Sequence, residues 1–311
     1  MLILLWGVGS DGPLAAVLQE LQRLGVPTSV IDQRHVLRTE IDLEVGSGMS
    51  GAVRTPHGRI DLETVTALYL RPYDSRCLPV IVQEGPNSTA WRHALRVDDI
   101  LASWSQITPA VVVNPLGAMA VNGSKPYQLR QIRRLGFSVP ETLVTTDPNT
   151  AHAFWQQHGT VIYKSVSAVR SRVARLQPED VRRLGDVSSC PTQFQQYITG
   201  RDYRVHVVGS EIFASEVICE ADDYRYPAEH TVEIRACRLP QDVEDRCRLL
   251  ATAMQLAVAG IDLRQNVDGD WYCFEVNPSP AFTYYQEATD QPISRAIARL
   301  LADGSPGQRL S

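Results

Sequence analysis

The sequence lacks closely spaced cysteine pairs. Its six cysteines are spread along the chain without any C-x-x-C motif. It also lacks a basic n-region followed by an apolar segment and a small-residue cleavage site, which is the pattern of a secretory signal. These absences predict reduced thiols in a cytoplasmic protein.

The sequence also has neither a long apolar run nor a basic excess. No apolar run approaches the roughly 18–20 residues that a membrane helix needs. The formal net charge is −5 at pH 7, whereas nucleic-acid-binding domains usually carry a basic excess. Neither a membrane nor a nucleic acid is therefore expected as a partner.

The length of the chain predicts more than one lobe. Single hydrophobic cores usually stop growing near about 250–300 residues, and this chain has 311. Its hydrophobic content of 44% is that of an ordinary globular protein. Two or three lobes are expected, each with its own core.

Three oxygen-bearing side chains occupy two neighbouring apolar segments near the end of the chain. Asp262 follows one apolar run, and Glu275 and Asn277 lie two residues apart in the next. Residues two apart on a strand share a face. Such ligands, with no Cys or His beside them, suit Mg²⁺ held against nucleotide phosphates rather than zinc or copper. The alternative is a strand pair with ordinary polar residues.

The N-terminal segment reads as a βαβ unit. A strand is predicted over residues 2–6, a helix over 14–24 and a second strand over 26–31. The glycine-containing loop at 7–12 is similar to a dinucleotide-binding fingerprint, but the third glycine is not at the required spacing. A simple strand-to-helix turn is the favoured interpretation.

Another core strand is predicted over 65–70, and Arg71 follows it. Open α/β sheets bind ligands at the carboxyl ends of their strands, so Arg71 is a candidate substrate-binding residue. A surface ion pair with Asp74 is the alternative. The other elements predicted in this region are a small hairpin over 41–60, a helix over 91–105 and a strand over 110–113.

Two lysines in the next region stand at the ends of predicted elements. Lys125 lies at the start of a helix and Lys164 at the end of a strand over 160–164. As compact point charges, two such lysines can reach the same phosphate group. The other elements predicted here are a strand over 141–144 and a helix over 151–157.

The last third of the chain predicts a β-rich lobe. A strand over 192–198 precedes a hairpin over 200–218. A polar loop at 222–229 then leads to an amphipathic helix over 240–258, which delivers the chain to the carboxylate-bearing segments. A final helix is predicted over 293–301.

Several of these segments together resemble the ATP-grasp superfamily. The resemblance covers roughly residues 115–302, and its closest likeness is to the RimK-like branch. That branch includes ligases that add glutamate to a protein terminus and maturases that cyclise microviridin-type precursor peptides. The motifs that carry it are Gln195-Gln-Tyr-Ile198, Gly200-x-Asp-Tyr-Arg-Val205, Val207-Val-Gly209, Gly260-Ile-Asp-Leu263 and Phe274-Glu-Val-Asn-Pro-Ser-Pro280.

The resemblance implies an α/β protein with the ATP-grasp fold, in which two α+β lobes enclose the nucleotide behind an N-terminal α/β (pre-ATP-grasp) domain. The implied domains are 1–114, 115–190 and 191–311. The implied cofactors are ATP and Mg²⁺, one or two ions, with Mn²⁺ as an alternative metal.

The resemblance also implies roles for individual residues. The phosphate ligands would be Lys125 and Lys164; the adenine hinge would be Gln195, Gln196, Tyr197 and Ile198; the ribose or amino-edge contact would be Asp202; the metal ligands would be Asp262, Glu275 and Asn277; and the catalytic arginines would be Arg204, Arg225 and Arg235.

The implied reaction is ligation of a carboxylate to an amine. The carboxylate of an amino acid, peptide or protein attacks the γ-phosphate of ATP, and an amine, or sometimes a hydroxyl, displaces phosphate from the acyl phosphate. A nucleotide-binding module without ligase chemistry is the alternative, because the run at 165–172 has none of the family's usual glycines. A nicotinamide-dependent oxidoreductase is a weaker alternative.

The glycine-free run at 165–172 is one departure from the family pattern. Pro278 after Asn277, where many relatives have glycine, is a second. Oligomeric state stays open.

Overall fold

A computed structural model describes residues 1–46, 48–121, 124–165, 173–219 and 232–304 of the chain. Residues 166–172 of the run at 165–172 lie outside the described residues, as does the predicted loop at 222–229 with the candidate catalytic residue Arg225. Among the described residues there is no helix long and apolar enough to cross a membrane. All six cysteines are described, and no disulfide joins any two of them.

The N-terminal region is built on a parallel sheet. Its elements are β1 (Leu2–Gly7), α1 (Gly12–Arg23), β2 (Thr28–Asp32), β3 (Glu40–Val45), β4 (Met49–Thr55), β5 (Gly58–Asp61), β6 (Val65–Arg71), α2 (Pro79–Glu84), α3 (Thr89–Ile107) and β7 (Val111–Val113). The parallel strands lie in the order β2-β1-β6-β7. In β1, Ile3 and Leu5 enter one hydrophobic cluster while Leu4 and Trp6 enter another. Both faces of β1 are therefore buried, which explains its continuous apolar sequence.

The predicted hairpin over residues 41–60 is wrong in its number of strands. Strands β3, β4 and β5 form a three-stranded antiparallel sheet. The segment contains two turn signals, one near Gly48 and one at Gly58, and two turns connect three strands rather than two.

The central region carries an antiparallel sheet of order β10-β9-β11-β8. Its elements are α4 (Leu116–Ala120), α5 (Lys125–Arg134), β8 (Thr142–Thr145), α6 (Pro148–His158), β9 (Val161–Ser165), β10 (Ala174–Arg175), a 3-10 helix (Asp180–Ser189) and β11 (Thr192–Gln196). Phe194 of β11 and Ala151 of α6 are buried in one core cluster. The helix thus covers one face of the sheet.

The C-terminal region carries a five-stranded antiparallel sheet of order β14-β13-β12-β15-β16. Its elements are β12 (Gly200–Val208), β13 (Glu211–Ile218), β14 (Glu233–Cys237), α7 (Gln241–Ala253), β15 (Val258–Asn266), β16 (Trp271–Asn277), α8 (Thr283–Thr289) and α9 (Ile293–Asp303). Helix α9 packs on the N-terminal region, because its Ile297 and Leu301 enter the same cluster as Leu14 of α1.

The predicted helix over 240–258 is too long at its C-terminal end. Helix α7 ends at Ala253, Gln255 adopts a φ of 57°, and β15 begins at Val258. The apolar residues just before Val258 extend the helical spacing of the sequence, although they lead into a strand.

The change from the central to the C-terminal sheet falls between β11 and β12. Strand β11 pairs with β9 and β8, and β12 pairs with β13 and β15. Residues 197–199 are thus the link between the two sheets. The expected domain division at residue 190 stays a prediction.

Candidate functional site

A cleft lies between the central and C-terminal sheets, with an empty volume of about 800 Å³ that includes space open to solvent. The predicted site residues that line it are Lys164, Gln195, Gln196, Tyr197, Ile198, Asp202, Asp262 and Glu275.

Strands β15 and β16 bring the predicted metal ligands together at one end of the cleft. Asp262 is the direct cross-strand partner of Glu275, and Asn277 lies two residues farther along β16. Val276, between Glu275 and Asn277, is fully buried on the other face. Because cross-strand partners share a face, the oxygen atoms of all three side chains project from the same side of the sheet.

Each carboxylate of this group is paired with a cation. Arg204 Nη1 donates to Asp262 Oδ1 at 2.7 Å, and Lys125 Nζ donates to Glu275 Oε1. The Arg204 residue is 6% exposed, so its charge is held inside the protein. Two positive and two negative side chains therefore meet at the cleft end. Phosphate oxygens can replace the two carboxylates there as partners of Arg204 and Lys125.

Gly260 makes room for the guanidinium of Arg204. A Cβ atom at residue 260 would lie 2.1 Å from Arg204 Nη2 and 2.7 Å from Pro280 Cβ. Such distances are far below van der Waals contact, so a side chain here would displace the arginine. The glycine of the Gly-Ile-Asp-Leu motif is thus required by the packing of Arg204.

The position of Lys125 is set by a buried amide on the same helix. Gln128 Nε2 donates to the carbonyl oxygen of Val276 at 2.6 Å, and its Oε1 accepts from the Val276 N–H at 3.1 Å. These bonds fix α5 to the edge strand β16. Since residues three apart on a helix lie side by side, Lys125 is brought next to Glu275.

The predicted adenine hinge runs from the end of β11 into the link between the sheets. The N–H groups of Gln196 and Tyr197 already donate to the carbonyls of Glu141 and Thr160, at 2.9 and 3.0 Å. The N–H of Ile198 has no acceptor among the described residues. Of these three backbone donors, Ile198 is therefore the one that a bound base can use.

Side chains also shape this part of the cleft. The Gln195 amide is buried and donates to Thr142 Oγ1 at 3.0 Å. Arg175 donates to the Tyr197 hydroxyl at 2.8 Å, with its Cζ atom 4.3 Å from the Tyr197 ring centroid. The tyrosine ring is thus held in one orientation by a stacked cation.

Asp202 lines the cleft as half of a bidentate ion pair. Arg264 Nε and Nη2 donate to its two carboxylate oxygens, both at 2.7 Å, and Arg264 Nη1 donates to the Ile198 carbonyl at 2.6 Å. Burial raises the pKa of Asp202 above its ordinary value, and the hydrogen bonds and charge of Arg264 oppose that rise. This pair ties the C-terminal sheet to the link between the sheets.

Arg264 was missed by the sequence analysis, although a signal was present. It follows Asp262 by two residues, which places both on one face of β15. Its Cζ atom lies 5.5 Å from the Tyr197 ring centroid and 5.4 Å from that of Phe274. Phe274 was missed because a β-bulge, visible as a register shift after Asp262, breaks the strict alternation of β16.

Lys125, Arg204 and Asn277 adjoin the lining residues Asp262 and Glu275 without lining the cleft themselves. Arg71 and Arg235 neither line the cleft nor pair with these two carboxylates. Arg71 pairs with Asp11, and Asp74 pairs with Arg76 instead, so the alternative of an Arg71 pair with Asp74 is wrong. Arg235 lies on β14, the edge opposite β16, and pairs with Glu233 at 2.6 Å.

The strand register places Arg235 on the other face of the sheet. Asp262, Arg204, Ser215 and Ala236 are successive cross-strand partners, so they share a face, and Arg235 as the neighbour of Ala236 points the opposite way. With β14 and β15 three strand spacings apart, the backbones are separated by about 14 Å. A catalytic role for Arg235 stays a prediction.

The donor set fits a Mg²⁺ ion. Among the described residues there is no group of three or more His, Cys, Asp or Glu side chains that could hold a metal. Two carboxylates with one amide oxygen instead match Mg²⁺, which is usually bound by one or two carboxylates together with substrate phosphates and water. The Asn277 Oδ1 atom accepts from the Ser279 N–H at 2.9 Å, and an amide oxygen has a second lone pair for a metal.

Comparison with protein families gives one match over more than half of the chain. Residues 125–301 match the model of the RimK-like ATP-grasp domain. No curated protein matches this chain in sequence.

Several solved structures are similar over almost the whole chain. A RiPP-associated ATP-grasp ligase from Chryseobacterium gregarium, in complex with ADP and a leader and core peptide, has a TM-score of 0.83 and 21% identity, covering 100% of this chain and 98% of that one. The macrocyclase MdnC from Microcystis aeruginosa MRC, bound with precursor peptide MdnA, has a TM-score of 0.80 and 22% identity, covering 97% and 100%. The ATP-grasp ligase PsnB, complexed with minimal precursor, Mg and ADP, has a TM-score of 0.79 and 25% identity, covering 97% and 96%. The fold predicted from the sequence is confirmed by these similarities.

Proposed function

The chain belongs to the RimK-like ATP-grasp family, and from this premise we propose that it is an ATP-dependent, ADP-forming ligase that joins a carboxylate to an amine. The observation that carries the proposal is the group at the cleft end, where Asp262 faces Glu275 and each carboxylate is paired with a cation. Phosphoryl transfer leaves a protein mainly positioning and charge neutralisation to perform. This group supplies both.

We propose that the nucleotide lies along the cleft. Its base would stack near Tyr197 and accept from the Ile198 N–H, and its phosphates would reach Lys125 and Lys164. Asp202 would contact the ribose while Arg264 holds the carboxylate in place. We thus propose the Ile198 N–H, rather than that of Gln196 or Tyr197, as the backbone donor to the base.

Asp262, Glu275 and Asn277 would hold Mg²⁺, one or two ions, with Mn²⁺ as an alternative. Bound there, the metal would neutralise charge on the phosphates and orient the γ-phosphate for attack. Arg204, anchored by Asp262, would donate to the transferring phosphoryl group. Corresponding roles for Arg225 and Arg235 are kept as predictions.

In the proposed reaction, a carboxylate oxygen forms a bond to the γ-phosphorus and the bond to ADP breaks. The amine nitrogen then attacks the acyl carbon, phosphate leaves with the bonding electron pair, and the nitrogen loses a proton. Residues of the cleft would exclude water, which otherwise hydrolyses the acyl phosphate.

We propose a peptide as the substrate that carries the carboxylate. Support comes from the similar structures, three of which contain a precursor peptide or its leader and core segments. We also propose that the domains divide at residues 114 and 190. The proposed nucleophile is an amine.

The experiment is to incubate the protein with ATP, Mg²⁺ and a pool of amino acids and peptides, and to measure ADP, phosphate and new product masses. Wild type should release ADP and phosphate only with a suitable acceptor, and Glu275→Ala should abolish this turnover while the chain still folds. Glu63, an exposed glutamate outside the cleft, gives the matched control Glu63→Ala, which should keep full turnover.

Unchanged turnover in Glu275→Ala would contradict the assignment. Tight ATP binding by wild type without turnover against any acceptor would favour the nucleotide-binding module instead.

A further inference from the structure

The segment that follows the proposed metal ligands is braced from the N-terminal region. Asn114 Nδ2 donates to the Pro278 carbonyl at 2.5 Å. Arg71 Nη1 donates to the Pro280 carbonyl at 3.2 Å. Two side chains of the N-terminal region therefore hold two carbonyls on either side of Ser279.

Arg71 is itself fixed to the parallel sheet and to a helix end. Its Nε and Nη2 atoms donate to the two carboxylate oxygens of Asp11, and the Arg71 side chain is only 10% exposed. Asp11 Oδ2 also accepts from the Leu14 N–H at 3.0 Å, as the N-cap of α1. The guanidinium is thus a rigid bridge from α1 to Pro280.

The braced segment has few ways to move. Proline fixes its own φ and restricts the residue before it, so Pro278 and Pro280 limit both Asn277 and Ser279. Both prolines are buried. With the flanking carbonyls held, the Ser279 N–H stays directed at Asn277 Oδ1, and this bond fixes the orientation of the Asn277 amide.

The geometry points to Arg71 as a positioning residue for the metal site: through Pro280 it keeps the Asn277 amide oxygen aimed at the ion. This inference rests on the proposed function, since it needs Mg²⁺ at Asp262, Glu275 and Asn277. It also gives a reason for the proline that stands after Asn277 in place of the glycine of many relatives. A glycine at residue 278 would allow more backbone conformations beside Asn277, whereas proline limits them and adds to the bracing from the N-terminal region.

Direct binding of a substrate carboxylate by Arg71 is the competing role. Three of the five N–H groups of Arg71 already donate to Asp11 and Pro280, one of them from each of its three nitrogens. A substrate-binding arginine would affect the substrate KM, whereas a positioning arginine affects the Mg²⁺ dependence of nucleotide binding even when no substrate is present.

The test is to titrate Mg²⁺ against the affinity of the full chain for ADP, by calorimetry, without any substrate. Wild type should bind ADP more tightly as Mg²⁺ is added. In Arg71→Gln, the Mg²⁺ concentration that gives half of this gain should rise about 10-fold, as is typical when a residue that orients a metal ligand is removed. Affinity for ADP in the absence of Mg²⁺ should not change.

Arg71→Lys should show the same loss, because a lysine keeps the charge but not the planar fork that bridges Asp11 and Pro280. Arg76→Gln is the matched control, since Arg76 is exposed and its ion pair is with Asp74 on the same loop. If Arg71→Gln fails to fold, Asp11→Asn serves instead: its amide oxygen can still cap α1, while its hold on Arg71 weakens, so a smaller shift in the same direction is expected.

A full Mg²⁺ response in the folded Arg71 variants, or in Asp11→Asn, would overturn the inference while leaving the proposed function intact. Absence of any Mg²⁺ response in wild type would instead overturn both.

Discussion

Arg264→Met removes one partner of the buried ion pair in the cleft. The variant loses two charge-assisted hydrogen bonds to Asp202 and one to the Ile198 carbonyl, all at 2.6 to 2.7 Å. Breaking a fully buried pair costs about 3–5 kcal/mol. The two side chains are 12% and 24% exposed, so the lower end applies, and we expect the free energy of unfolding at pH 7 to fall by about 3 kcal/mol.

The cost should depend on pH in a defined direction. Burial raises the pKa of Asp202 and Arg264 opposes the rise, so removing Arg264 lets this pKa move farther up. An acid whose pKa is higher in the folded state binds more protons when folded, and stability therefore falls as pH rises through that pKa. The deficit of Arg264→Met should thus be full at any pH above the Asp202 pKa of the variant. It should shrink on acidification, by up to about 1.4 kcal/mol per pH unit between the Asp202 pKa of the variant and that of wild type.

The assay is urea unfolding followed by tryptophan fluorescence, for wild type, Arg264→Met, Asp202→Asn and the double variant. When Asp202 is already replaced by Asn, the stability cost of Arg264→Met should lose most of its pH dependence. The double variant should be more stable than the sum of the two single costs predicts, since the unpaired charge is gone. Arg76→Met, in an exposed pair, should leave the midpoint unchanged. A deficit that does not change with pH, together with additive single costs, would refute the reasoning.

Two further predictions concern the surroundings of the site. Gly260→Ala should lower the free energy of unfolding by about 1–3 kcal/mol, as overpacking does, because its Cβ would overlap the Arg204 guanidinium. Thermal unfolding measures this change. The control Gly117→Ala, at a position with open space around it, should not destabilise the protein. Alkylation followed by mass analysis should label the two exposed cysteines first and Cys247 and Cys273 only after unfolding, because burial raises the pKa of Cys247 to about 12 and that of Cys273 well above its ordinary value. Labelling of Cys273 at the rate of the exposed thiols would contradict this.

The sequence predicts the strands of the cleft from their apolar runs, although a bulge interrupts the alternation of β16. A period of two places Glu275 and Asn277 on one side of their strand, and the observed register places Asp262 of the neighbouring strand on that side as well. The fold is also recoverable, since the family motifs along 192–280 fall on these strands. Roles assigned to individual residues by family resemblance stay predictions.

What the sequence could not predict depends on contacts between distant segments. The Arg71 bond to Pro280 spans 209 residues and the Asn114 bond to Pro278 spans 164, and no local pattern encodes either. The end of α7 was missed because the apolar spacing continues into β15. The bulge at Phe274 was missed because the residue types of the strand do not show which residue is left without a cross-strand partner.

The most direct test of an acyl-phosphate ligase is the fate of a carboxylate oxygen. The peptide substrate that carries the carboxylate, found in the product screen, is labelled with heavy oxygen in its carboxylates. The phosphate released during turnover is then analysed by mass spectrometry. Transfer of one labelled oxygen into each phosphate is the predicted result, because the carboxylate oxygen bonded to phosphorus leaves with it. Phosphate that carries no label, formed alongside ligated product, would contradict the account.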